Sequence, residues 1–173
     1  MTTLLDPTGE LSPATRQPLP RLEALAGATI GLLDISKPRG DVFLDRLQSL
    51  LESRGAKVER FRKPTFAKNA PPDLRREIAE RCDAVIEALA DRGSCTSCSV
   101  HDITSLEERG IPGAFVASSE FEEAAVAQSR SLGFRPLAIF VRHPIQDRTD
   151  AEMVEIADRA LDRVLAALIA PAD

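Results

Sequence analysis

From residue 28 onward, short apolar runs take turns with longer amphipathic stretches, and the alternation repeats five times. Residues 28–35 (ATIGLLDI) and 84–90 are apolar on both parities, as strands buried on both faces are. Residues 112–119 and 137–143 (LAIFVRH) supply two more strands. Residues 57–63 interleave Val58 and Phe61 with charges and read as an edge strand, where Arg60, Arg62 and Lys63 discourage edge-to-edge association. Between them lie helical patterns. Residues 41–55 put Phe43, Leu47, Leu50 and Leu51 on one side and end at Gly55. Residues 71–82 open on proline and space Leu74, Ile78 and Cys82 four apart. Helices are also predicted over 97–109, 120–132 and 149–170, the last with Thr149 as N-cap and Glu152 completing a capping box.

Five β/α units in series imply a single α/β domain, a doubly wound parallel sheet of five strands joined by right-handed crossovers. The flavodoxin-like order 2-1-3-4-5 fits best, because it sets the charged second strand at an edge. Residues 1–26 carry Pro7, Pro13, Pro18 and Pro20, which exclude a continuous helix and suggest an extended arm before a domain at 27–173.

Composition removes several functions. Aromatic residues make up 4%, with no Trp or Tyr, and the net charge is -5, so neither base stacking nor a broad phosphate-binding face is expected. Nucleic acid is an unlikely partner on these grounds. No apolar run nears the roughly 18 residues that span a bilayer, and the N-terminus lacks the pattern of a signal peptide. Three cysteines make no secreted disulfide framework. A cytoplasmic chain without membrane contact is the expectation.

In such sheets ligands bind beyond the carboxyl ends of the strands. Asp34, Lys37 and Arg39 follow the first strand, and residues 91–99 follow the third. Ser118, Ser119 and Glu120 follow the fourth, and His143 with Pro144 the fifth. Two of three cysteines and both histidines thus converge on one rim. The segment Arg92-Gly93-Ser94-Cys95-Thr96-Ser97-Cys98 reads as a loop feeding a helix start, where free N–H groups and the helix dipole favour a thiolate. Cys95 is the expected nucleophile and Cys98 its resolving or supporting partner, with His143 or His101 as proton shuttle. Asp34, Lys37, Arg92, Ser94 and Glu120 are the expected contacts of a small, anionic substrate. A second reading makes Cys95, Cys98, His101 and His143 ligands to Zn, Fe or Cu, while the first needs no cofactor. Cys82, on an apolar stripe, is assigned to the core. Glu87, inside a buried strand, has no assigned role.

The motif Arg92-Gly93-Ser94-Cys95, continuing through Asp102, resembles the UGSC family of selenoproteins and their cysteine homologues. The likeness runs over about residues 28–170 and includes the segment GLLDISKPRGDVFLDRL, the FRKP stretch at 61–64 and the His143-Pro144 pair. More distantly the cysteine spacing is similar to that in selenoprotein B of glycine, proline and betaine reductases. This resemblance implies thiol or selenol chemistry on a small molecule, with reductive or lyase-type cleavage. It also implies a departure: Arg92 stands where the family has selenocysteine or cysteine, and an arginine cannot attack carbon. Only Cys95 and Cys98 then remain as redox partners, and Arg92 becomes an anion anchor beside the helix start. An accessory role in a multi-component reductase is the further alternative, so a reductase partner protein and a homo-oligomer both stay open.

Overall fold

The computed structural model describes residues 16–171. The elements in chain order are β1 (Thr29–Asp34), α1 (Gly40–Glu52), β2 (Lys57–Arg62), α2 (Pro72–Arg81), β3 (Ala84–Ala90), α3 (Gly93–Glu108), β4 (Gly113–Ser118), α4 (Glu122–Leu132), β5 (Leu137–Val141) and α5 (Asp150–Leu168). All five strands run parallel in the order β2-β1-β3-β4-β5, the flavodoxin-like arrangement expected from the alternation. Among the described residues no helix is long and apolar enough to cross a membrane.

Two apolar layers sandwich the sheet, and strand parity sorts residues between them. Ile30, Leu32, Ile86 and Val116 face α1 and α5, where Phe43, Leu47, Met153 and Val164 complete one core. Leu33, Phe61, Val85 and Phe115 face the other way, against Ile78, Val100, Ile103 and Leu106 of α2 and α3. Cys82 belongs to this second layer, as its place on the apolar stripe predicts. An added Cβ at Gly31 would sit 3.1 Å from Cys82 Sγ, so the small residue in β1 lets the end of α2 lie close. The register of β3 against β4 shifts between Glu87 and Ala90, which bends the end of β3 that feeds the site.

The arm is only partly within view, since residues 1–15 lie outside the described residues. Residues 16–26 run along the N-terminal edge of the sheet, away from the strand ends that carry the site. Leu22 N–H donates to Leu168 O at 2.9 Å, and Leu19 N–H to Glu107 Oε2 at 2.7 Å. Thr149 and Glu152 form the predicted capping box at the start of α5.

Two expectations need correction. The helix predicted from Ser97 begins four residues earlier, at Gly93, so Cys95 joins Cys98 inside α3 and does not lie in the loop before it. The polar run GSCTSCS misleads because its small side chains satisfy the helix end themselves. Arg92 N–H donates to Cys95 Sγ at 3.3 Å, and Thr96 Oγ1 donates to Arg92 O at 2.8 Å. The second correction is Lys63. It is 1% exposed and so is no guard of the sheet edge. Phe61 points into the second core layer, and the period of two carries Lys63 inward with it.

Candidate functional site

One charged cluster lies beyond the carboxyl ends of β1 and β3 beside the first turn of α3, and a second lies deeper, between the end of β2, the middle of β3 and the third turn of α3. In the first, Lys37 and Asp91 form a buried ion pair, and Gln146 Nε2 donates to Asp91 Oδ2 at 2.7 Å. Lys37 Nζ lies 4.0 Å from Cys95 Sγ. Cys95 has no exposed surface, and its thiol also donates to Arg92 O at 3.2 Å. Any negative charge on this sulfur would meet an ammonium, a backbone N–H and the positive end of α3.

The second cluster was not anticipated. Lys63 Nζ reaches Asp102 Oδ2 at 2.6 Å and Glu87 Oε1 at 3.4 Å, with all three side chains essentially sealed from solvent. Asp102 accepts also from Ala70 N–H, at 2.8 and 3.0 Å to its two oxygens. Ser99 Oγ donates to Glu87 Oε1 at 3.0 Å, but Glu87 Oε2 is buried without a hydrogen-bond partner. Burial, and then the charge of Asp102, push the Glu87 carboxyl up to about 7 against the pull of Lys63 and Ser99. Burial alone would lower the Lys63 ammonium; Glu87 and Asp102 outweigh it and raise the group. Sequence held one signal for this cluster. Lys63 shares the inward parity of Phe61, Glu87 that of Val85, and Asp102 sits on the stripe of Cys95, Ser99 and Leu106.

Cys98, one turn before Asp102 on α3, is half-buried, in contrast to Cys95. Burial raises its thiol; Lys63 opposes the rise, while Asp102, Glu87 and Cys95 add to it.

The other expected residues divide. Arg92 and His143 meet across an open cleft of about 490 Å³, lined also by Asp91, Phe121, Ile145 and Gln146. His143 Nδ1 is 2.8 Å from Ser118 Oγ, and its ring packs edge-on to Phe121 at 6.3 Å between centroids. His101 turns away, toward α4, where Gln128 Nε2 lies 3.1 Å from its Nε2. Ser94 is exposed in the first turn of α3. Asp34 is buried and accepts from Ser36 N–H at 2.7 Å, which fixes the turn after β1. Glu120 is exposed and borders a groove on the outer side of α4, apart from Arg92. Lys37 is no free anion anchor, because Asp91 already pairs with it. Nor do the four expected metal ligands gather. Among the described residues, no group of three or more His, Cys, Asp and Glu side chains is arranged to hold a metal ion.

The sequence matches the UGSC family over residues 3–170. This chain belongs to the UGSC family. The match takes in most of the N-terminal arm as well as the α/β domain, a longer span than the cysteine motif and its neighbours suggest. Among curated proteins none matches closely enough to count as a relative. Solved structures similar to this UGSC chain include a diflavin flavoprotein A3 from Nostoc sp., at 12% identity and TM-score 0.46, covering 80% of this chain and 92% of that one. Ornithine carbamoyltransferase from Gloeobacter violaceus is another, at 13% identity and TM-score 0.36, covering 81% of this chain and 55% of the other.

Proposed function

We propose that this UGSC-family chain is a thiol-dependent enzyme that cleaves a small anionic molecule at the N-terminal turns of α3. The observation that carries the reading is the half-buried Cys98 on the same helix face as a sealed Cys95 whose sulfur is 4.0 Å from Lys37 Nζ. The difference in exposure exchanges the roles expected from sequence. Cys98 is the reacting thiol, and Cys95 the resolving one. Arg92 and His143 line one cleft, which neither cysteine borders, and in this reading Arg92 holds a carboxylate there and His143 moves a proton.

The chemistry balances as follows. The Cys98 thiolate attacks the carbon that bears a leaving group; an S–C bond forms, and the leaving group departs with the electron pair. Cys95 then attacks the Cys98 sulfur, a disulfide forms, and the freed carbon takes a proton. A dithiol reductant returns the two electrons.

The test uses the full chain with dithiothreitol and a panel of small carboxylates bearing an amino, halo or sulfonyl group on the α carbon. Consumption followed by NMR, with a covalent adduct on Cys98 in peptide mass spectra, is the expected result. Cys98→Ser abolishes both, and Cys95→Ser lets the adduct accumulate. Consumption that survives both substitutions overturns the reading.

A further inference from the structure

A cavity of about 600 Å³ opens between the arm, α4 and the outer strand β5, and none of its lining residues borders the cleft of Arg92 and His143. Its floor is apolar. Phe115 and Phe140 meet edge to face at 6.4 Å between centroids, and Ala125, Val126 and Ala138 continue the surface. Ala138 and Phe140 belong to the second core layer but stay partly uncovered, because α4 lies against α3 and leaves that face of β5 open. Ser129 is the buried hydroxyl of the lining, and it already donates to Ala125 O at 2.7 Å. The floor therefore holds no free donor. The wall formed by residues 16–18 is fastened beforehand. Arg16 N–H donates to Gly133 O at 3.0 Å, and its guanidinium donates to Thr104 O at 3.1 Å and lies 4.3 Å from the centre of the Phe134 ring. Charge at the mouth is uneven: Arg16 and Arg135 face one carboxylate, Glu122, in a chain whose net charge is -5. Arg16 also has Glu108 at 3.7 Å, whereas Arg135 is exposed and, among the described residues, has no ion pair.

We propose that this cavity binds a small molecule with an apolar body and one anionic head, a carboxylate or sulfonate, the body on Phe115 and Phe140 and the head at Arg135. Size supports it, since small-molecule clefts run from about 300 to about 1,000 Å³ and are mostly apolar with a few polar groups that fix orientation. The sign of the head follows from the mouth. A cationic ligand would meet two guanidiniums and an uncharged one would leave Arg135 without a partner, while a carboxylate or sulfonate matches the planar fork of that side chain. The apolar body is set by the floor, where a polar group would be desolvated with no donor to receive it. Because the arm is already tied to Gly133 and Thr104, binding does not have to order that wall. The site shares no residue with the thiol chemistry and stands or falls apart from it.

Fluorescence titration of the full chain with anilinonaphthalene sulfonate, and in parallel with the uncharged N-phenyl-naphthylamine, tests this. Saturable binding of both probes to the native chain is the expected result. Arg135→Gln should weaken the sulfonate roughly threefold to tenfold and leave the uncharged probe unmoved. Glu122→Gln removes the one carboxylate of the mouth and should tighten the sulfonate by about twofold. Val126→Glu sets a charge on the floor and should weaken both probes by roughly tenfold or more. Arg135 and Glu122 are exposed, so their variants keep the test decisive even where Val126→Glu does not fold. The absence of saturable binding, or sulfonate binding that Arg135→Gln does not move, overturns the proposal. So does self-association in gel filtration that drives the probes off as protein concentration rises, which would give this face to a second copy of the chain.

Discussion

The N-terminal end of the sheet and its middle each bury a glutamate on or beside α3, and they treat it in opposite ways. At the N-terminal end Glu107 is 3% exposed and accepts from Leu19 N–H, Gly113 N–H and the Arg21 guanidinium, at 2.7, 3.0 and 2.7 Å. Both oxygens are occupied, and the arm is fastened to the domain by them. In the middle of β3 Glu87 is fully buried and has one oxygen with no hydrogen-bond partner. A buried carboxylate with a full set of donors is a rivet. One left incomplete has its carboxyl raised by burial.

The sharpest way to break the contrast is to remove each charge. Glu107→Ala strands the Arg21 cation and two backbone donors, and a loss of about 3–5 kcal/mol in urea unfolding is expected. Lys63→Met leaves Asp102 and Glu87 without their cation and should cost about 2–4 kcal/mol at neutral pH, less in mild acid where Glu87 is protonated. Equal losses at both pH values would mean that Glu87 is as fixed in its charge as Glu107.

The pH dependence of the native fold is the next test. Glu87 stands at about 7 in the fold against an ordinary 4.5, so between those values the native chain holds a proton that the unfolded chain has released. Its contribution to stability therefore falls as pH rises from about 4.5 to about 7 and stays low above that. Melting temperatures across this window should show the decline, and Glu87→Gln should flatten it. A native curve with no decline removes the difference between the two glutamates.

The smallest effect separates the cysteines. Burial, then Glu59, pushes the Cys82 thiol up to about 12, so it should stay unmodified by iodoacetamide near pH 8. Cys98 should be modified first. Equal labelling of the two would undo the distinction between core sulfur and site sulfur.

Much of the frame was legible along the chain. Apolar runs at regular intervals dictate a covered parallel sheet, because a strand apolar on both faces needs helices on each side. The capping box at Thr149, the core role of Cys82 and the strand ends that bring Arg92 and His143 to one cleft follow from residue type and spacing. What the pattern hid was of two kinds. The small polar residues after Arg92 look like a loop, yet their sulfur and hydroxyl groups close the helix end with local bonds. Lys63, Glu87 and Asp102 look like three separate oddities, since nothing in their spacing links a strand end, a strand centre and a helix.

By itself, then, the sequence determined the layers and the strand order, both consequences of short-range periodicity. The tertiary structure decided which thiol is open, which lysine is already paired and which carboxylate lacks a donor. Exposure and charge compensation are properties of groups brought together from distant positions, and they exist only once β2, β3 and α3 have packed.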